Sequence, residues 1–103
     1  MIQAKFYKKN GKFSGFRVSG HAGYADAGED IVCAAVSSAV QLTVNLLSDF
    51  GCNPDISSEN NVVKCNVKRT EFAESKIFRQ LKLHIESISE EFPNTIKITV
   101  LEV

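Results

Sequence analysis

Residues 30 to 50 form one long segment in which apolar side chains recur with the period of an α-helix. Two sides of this helix would be apolar, one formed by Val32, Val36 and Val40, and the other by Ala35, Ala39, Leu42 and Leu46. Gly51 supplies a stop signal after the last turn. A helix that is apolar on two sides has to be covered by two layers, here a sheet and either a second helix or a partner subunit.

The other segments of the chain would supply these layers. Alternating apolar and polar residues predict β-strands over about residues 2–8, 12–19, 54–58, 62–68 and 95–102. Asn10-Gly11 predicts a hairpin between the first two strands, and the out-of-phase Phe13 predicts a bulge at Gly15. A second helix is predicted from about Thr70 to the residue before Pro93. The order β-β-α-β-β-α-β indicates an α+β fold, in which a mostly antiparallel sheet packs with two long helices.

Length and charge restrict the function. The 103 residues correspond to a single domain, 1–103, and a chain of this size would place a reactive site in a surface groove. Twelve basic and twelve acidic residues give a net charge of zero, which argues against direct nucleic-acid binding. The N-terminus lacks the pattern of a secretory signal, and polar residues interrupt every apolar run. We therefore expect no membrane partner and a cytoplasmic location.

The chain has three cysteines, Cys33, Cys52 and Cys65. An odd number without a C-x-x-C pair argues against a disulfide scaffold and against zinc, so we expect free thiols, no metal and no cofactor. Cys65 is in phase with the apolar side of a predicted strand and should be a buried, inert thiol. Cys52 follows the helix in a loop, where a structural role is the simplest interpretation.

Cys33 lies in a more reactive position. If Asp30 caps the first helix, Cys33 is its third residue, where free backbone amides and the helix dipole favour a thiolate. A cysteine nucleophile works with a histidine, and His21 lies twelve positions upstream, across a glycine-rich loop. The spacing alone leaves two interpretations equally open. The two residues form a catalytic pair, or Cys33 is a buried thiol that packs the first turn of the helix.

The stretch GHAGYADAGEDIVCAAVS, residues 20 to 37, resembles the ribosomal-processing cysteine protease family of bacteria. The matching positions are Gly20, His21, Ala22, Gly28, Asp30, Val32, Cys33, Ala34, Ala35 and Ser37. The resemblance implies a Cys–His endopeptidase that removes a short N-terminal extension from a precursor of large-subunit ribosomal protein number twenty-seven. It also implies cleavage after an aromatic residue and a homodimer.

Carried onto this chain, the resemblance makes Cys33 the nucleophile and His21 the general base. Asp30 would either orient His21 or cap the helix. Ser37, one turn beyond Cys33, would either donate a hydrogen bond near the site or simply pack there. Backbone amides of the first helical turn are natural oxyanion donors, but only those that Asp30 does not cap would be available.

Glycines mark the loop between His21 and Cys33. Gly20, Gly23 and Gly28 leave its backbone free, and Tyr24 is the only large side chain that could anchor it. We therefore expect a mobile substrate loop that an extended peptide orders, so that the catalytic pair closes only on substrate.

Two other functions remain open at this point. One is a non-catalytic, ribosome-associated binding protein in which Cys33 and His21 are merely packed. The other is a thiol-based redox or thioester enzyme that uses Cys33. The motif contains no neighbouring resolving cysteine, which argues against the redox version.

Overall fold

The computed structural model describes residues 1–21, 23, 30–69 and 71–103. The elements are β1 (Ile2–Lys9), β2 (Lys12–Ser19), α1 (Ile31–Asp49), β3 (Asp55–Glu59), β4 (Val62–Asn66), α2 (Phe72–Glu91) and β5 (Ile96–Glu102). This order confirms the predicted α+β architecture, and the predicted boundaries differ from those of the structure by no more than two residues. The order of the elements could be predicted because each strand and helix has its own hydrophobic periodicity and its own stop signal.

The five strands form one mixed sheet in the order β3-β4-β2-β1-β5. β1 and β5 run parallel, while the other neighbours are antiparallel. Between β1 and β2 the register shifts, because Tyr7 pairs with Gly15 whereas Lys8 pairs with Phe13. Ser14 is therefore the extra residue of a bulge, which confirms the irregularity predicted beside Gly15. The shift turns Phe13 into the core, where it is 7% exposed.

One face of the sheet carries the core. The rings of Phe6, Phe16 and Phe78 are fully buried and pack in sequence, with centroids 6.3 and 6.0 Å apart. Phe78 belongs to α2, which packs against β2, β5 and α1. On the opposite face of the sheet, Lys64 and Lys97 are exposed to solvent. The molecule is thus a two-layer sandwich with an open sheet face.

α1 has two different apolar sides, as its sequence predicts. Its inner side is buried in the core and consists of Val32, Val36, Val40, Thr43 and Leu47. On its outer side, Leu42 is 60% exposed and Leu46 is 37% exposed. By length and apolar composition alone, α1 is long and apolar enough to cross a membrane, which the sequence analysis did not expect of any segment. Burial of the inner side explains part of that composition.

Candidate active site

His21, Cys33 and Ser37 line one surface groove with a volume of about 550 Å³. The groove lies between α1 and the β3–β4 hairpin, at the end of β2. Apolar side chains contribute much of its lining, namely Ile2, Val18, Val36, Val40, Val44, Ile56 and Val63. The structure therefore brings the two residues of the predicted pair, and Ser37, to one open cleft with an apolar lining.

Asp30 fixes the beginning of α1. It is the N-cap residue, has an extended backbone and is 9% exposed. Its Oδ1 accepts hydrogen bonds from the backbone amides of Val32 and Cys33, each at 3.0 Å. Cys33 is consequently the third residue of the helix and is half-buried at the edge of the groove. Of the two roles considered for Asp30, the observed hydrogen bonds are those of a helix cap.

The cap also determines which hydrogen-bond donors are available beside Cys33. The amide of Ala34 donates to the backbone oxygen of Asp30 at 3.1 Å. The amides of residues 32 to 34 are therefore all engaged by Asp30, and none of them is available to a ligand. Ser37 is exposed and lies one turn beyond Cys33 on the same helix face, so its hydroxyl offers a donor there.

The imidazole of His21 contacts a residue that the sequence analysis did not single out. The side-chain amide nitrogen of Asn61 lies 3.1 Å from Nε2 of His21, within hydrogen-bond distance. Asn60 and Asn61 have positive φ angles of 51° and 62°, as in the tight two-residue turn of a β-hairpin. Asn61 is thus held by the turn between β3 and β4 and reaches across to the end of β2.

Strand pairing explains why these two residues meet. Ser19, the last residue of β2, pairs with Val62, the first residue of β4. His21 lies two residues after Ser19, and Asn61 immediately precedes Val62, so both extend from the same end of the ladder. The sequence marks the Asn-Asn turn but does not reveal which strand lies beside β4. Without the pairing of β2 with β4, the contact between Asn61 and His21 cannot be predicted from the sequence.

Gly20 sets the direction in which the chain leaves β2. It has a φ of 86°, and a Cβ at this position would lie 2.8 Å from the backbone oxygen of Met1. Only glycine meets both conditions, since other residues avoid this conformation and would clash with the backbone of Met1, just before β1. Gly20 therefore places His21 at the mouth of the groove.

The other two thiols lie outside the groove. Cys65 is fully buried, as predicted, and burial together with the Asp55 carboxylate raises its pKa to about 11. Cys52 is half-buried, and its pKa is raised by burial and by the adjacent Glu74 carboxylate. Both are therefore neutral thiols at neutral pH, which is the protonation state of an unreactive cysteine.

The predicted substrate loop lies mostly outside the described residues. Gly23 has a φ of 70°, whereas Tyr24 and Gly28 belong to the part that the structure does not describe. Loop mobility and closure on substrate therefore stay predictions. Within residues 1–21, 23, 30–69 and 71–103, no group of three His, Cys, Asp or Glu side chains could hold a metal ion.

The family model for cysteine protease Prp matches residues 1–97, which is nearly the whole chain. No curated protein matches the sequence.

Three similar crystal structures share the fold. The essential ribosomal processing protease Prp from S. aureus, in complex with a covalently linked product peptide, has a TM-score of 0.90 at 24% identity, over 97% of this chain and 99% of that chain. The same protease with a substrate peptide has a TM-score of 0.85 at 23% identity, over 97% and 99%. SMU.848 from Streptococcus mutans has a TM-score of 0.81 at 26% identity, over 100% and 96%.

Proposed function

The chain belongs to the cysteine protease Prp family, and we propose that it removes the N-terminal extension of a ribosomal protein precursor with Cys33 as nucleophile and His21 as general base. Family membership makes the chain a cysteine protease, which confirms the enzyme prediction. One observation supports these two catalytic residues: His21 and Cys33 line the same groove. Cys52 and Cys65 lie outside this groove, and their raised pKa values keep them in the neutral thiol form. The substrate proposal is supported by the S. aureus protease, which is described as ribosomal processing and was solved with peptides.

The proposed reaction has two halves. The sulfur of Cys33 attacks the carbonyl carbon of the scissile peptide bond, and its proton goes to His21. The tetrahedral intermediate collapses, the C–N bond breaks, and His21 returns that proton to the leaving amine. A thioester on Cys33 remains. His21 then takes a proton from water, the hydroxide attacks the thioester carbonyl, and the C–S bond breaks. The sulfur of Cys33 recovers the proton from His21, and the product leaves as a carboxylic acid that ionises in solution.

Ser37 is our candidate for stabilising the negative oxygen of the tetrahedral intermediate. The amides of residues 32 to 34 are engaged by Asp30, so these three backbone donors at the helix N-terminus are not available to the oxyanion. The hydroxyl of Ser37 lines the groove one turn along the helix from Cys33. It is therefore the side chain of α1 best placed to donate a hydrogen bond to an oxygen that develops charge near the thiol.

Asn61 is our candidate for positioning His21. Its side-chain amide can hold the imidazole at Nε2, which leaves Nδ1 to exchange protons with the thiol. When His21 is protonated, both ring nitrogens become donors. Rotation of the Asn61 amide would then present its carbonyl oxygen to Nε2. The same side chain can thus support the histidine in both protonation states.

The groove suits an extended peptide with an apolar side chain. Val36, Val40 and Val44 line it from α1, and Ile56 lines it from β3. Such a lining can accept the aromatic residue that the family resemblance implies before the cleaved bond. We propose large-subunit ribosomal protein number twenty-seven as the precursor, and a cytoplasmic reaction. The odd number of cysteines, without a C-x-x-C pair, supports a reducing compartment.

We also propose that the protein is a homodimer. The outer side of α1 exposes Leu42 and Leu46, which α2 does not cover. These residues, with Ala39 of α1 and Ile77 and Leu81 of α2, line a groove of about 360 Å³ between the two helices. A second copy packed on this face would remove apolar surface from water. The second copy would then be the partner subunit that the two apolar sides of α1 predict.

A cleavage assay tests the proposed function. The purified precursor would be incubated with the protein, and the products would be identified by mass spectrometry. We expect cleavage within the N-terminal extension, none with Cys33→Ser, and turnover reduced by about 10²- to 10⁴-fold with His21→Ala. Cys52→Ser is the matched control and should cleave at the normal rate.

Two results would contradict different parts of the proposal. Unchanged cleavage by Cys33→Ala would exclude the nucleophile. Cleavage of unrelated unfolded proteins at the rate of the precursor would leave the protease mechanism intact but remove the proposed substrate.

A further inference from the structure

The open face of the sheet, opposite the helices, carries a row of basic side chains. Lys5 of β1 pairs with Arg17 of β2, and Arg17 pairs with Lys64 of β4. Residues that are paired across neighbouring strands point to the same side of a sheet, about 5 Å apart. Three positive charges therefore form a continuous line across the three central strands. Lys97 lies on the same face, because its partner Gln3 is in phase with Lys5.

This arrangement does not help the fold. Like charges directly opposite each other on a sheet are destabilising. The positions that flank the row are occupied by uncharged residues, Ser57 opposite Lys64 and Thr99 opposite Lys5. Among the residues that the structure describes, the ion pairs are Arg69–Glu71 and Lys82–Glu86, and neither involves the row. The carboxylates on this face, Asp55 and Glu59, lie on the edge strand β3 and outside the row.

The row borders a shallow groove that also contains an aromatic ring and an amide. Tyr7, Arg17, Lys64 and Asn66 line this groove, which has a volume of about 340 Å³. Tyr7 follows Lys5 by two positions on β1 and is half-buried, so it shares the open face with Lys5. A cationic row beside an aromatic ring on an open sheet is the combination that binds single-stranded nucleic acid. The cations contact phosphates, a base stacks on the ring, and an amide can hydrogen-bond a base edge.

We propose that this open sheet face, defined by Lys5, Tyr7, Arg17, Lys64 and Asn66, binds single-stranded RNA. The net charge of zero argued against a nucleic-acid partner, but a net charge carries no information about where the charges lie. On the open face of the sheet the charges are segregated. The basic side chains Lys5, Arg17 and Lys64 occupy the three central strands, and the acidic side chains Asp55 and Glu59 lie on the edge strand β3. The proposal is independent of the proteolytic function, since none of these residues lines the groove of Cys33.

A salt-dependent binding measurement tests this proposal. The probe is a fluorescein-labelled twelve-nucleotide oligouridine, and binding is followed by anisotropy in several salt concentrations. For three phosphate contacts, log K should fall with log salt with a slope of about −2. The triple variant Lys5→Gln, Arg17→Gln, Lys64→Gln should lose most of this slope and bind at least about tenfold more weakly at low salt.

A matched variant separates the location of the charges from their number. The triple variant Lys76→Gln, Arg79→Gln, Lys82→Gln removes the same three charges from α2 and should bind like the unmodified protein. Circular dichroism would establish that both variants are folded. Equal weakening by both variants would overturn the proposal, because it would show a general electrostatic effect.

The aromatic contact distinguishes RNA from an acidic polypeptide. Tyr7→Ala should weaken oligouridine binding by about tenfold, whereas Tyr7→Phe keeps the ring and should retain the affinity. Polyglutamate of equal charge should compete poorly, since it has no bases to stack. Polyglutamate that competes as well as RNA, together with no effect of Tyr7→Ala, would overturn the assignment to RNA.

Discussion

Chemical modification can measure how the three cysteines differ in reactivity. A raised thiol pKa means that the reactive thiolate forms only at higher pH, and this applies to Cys52 and, with a pKa of about 11, to Cys65. With limiting iodoacetamide at pH 7.5, we expect Cys33 to be alkylated first, as peptide mass spectrometry would show. Raising the pH should increase labelling of Cys52, while Cys65 stays protected by burial. Labelling of Cys52 as fast as Cys33 at neutral pH would contradict this order.

Ser37 can be tested against its neighbour on the same helix. Ser37→Ala removes the hydroxyl that we assign to the oxyanion, and loss of one such donor costs about 10²-fold or more in kcat. KM should change little, because the interaction forms mainly in the transition state. Ser38 is exposed and does not line the groove, so Ser38→Ala is the matched control and should keep full activity. Equal kcat values for the two variants would exclude the role of Ser37.

At the level of single residues, local signals in the sequence were sufficient for some positions and insufficient for others. Asp30 as the cap and Cys33 as the third helical residue follow from a polar residue placed before an apolar helix. Both depend on contacts between residues close in the chain. His21 and Asn61 are forty positions apart, and their contact depends on which strands pair. No local pattern contains that information.

Asn61 belongs to the turn between β3 and β4. The role of its side chain can be tested with a substitution that keeps the conformation of this turn. Asn61→Gly removes the side-chain amide, and glycine accepts the φ of 62° at this position. We expect kcat to fall and its pH profile to shift, because the imidazole loses its hydrogen bond to Asn61. A purely structural role would instead lower thermal stability and leave the pH profile unchanged.

Asn60 provides the control for this experiment. It occupies the same turn, has a φ of 51°, and also lines the groove, but the described hydrogen bond to His21 comes from Asn61. Asn60→Gly should therefore leave the pH profile of kcat unchanged. An identical shift in both variants would mean that the turn, and not the Asn61 side chain, positions His21.

Among the elements, α1 shows how far periodicity can predict packing. The buried side of Val32, Val36 and Val40 was predicted correctly, and the exposure of Leu42 and Leu46 shows that α2 covers only part of the second side. The sequence does not distinguish a side covered by a helix from one left exposed, because both are apolar. In the same way, alternation predicted β1 and β5 as strands but could not give their parallel pairing.

The whole molecule presents three surfaces with different chemistry. The groove of Cys33 lies along one flank of α1, where Ser37 and Val44 line it, and the apolar groove with α2 lies along another flank, with Leu42 and Leu46. The basic row occupies the far face of the sheet. A dimer that forms through the helices would therefore leave both the active-site groove and the basic row accessible.

The dimer itself can be tested by sedimentation equilibrium at tens of micromolar. We expect a mass twice that of the 11.3 kDa chain. Leu42→Lys places a charge in the centre of the proposed interface and should give a monomer, because burying an unpaired charge is costly. Ser48→Lys adds the same charge to α1 at an exposed position that does not line the apolar groove, and this variant should remain dimeric.

A monomeric unmodified protein at this concentration would contradict the proposed homodimer. A dimeric Leu42→Lys variant would mean that the dimer interface lies elsewhere. In that second case a different partner would have to cover the exposed side of α1, since Leu42 and Leu46, one helical turn apart, leave apolar surface in contact with water.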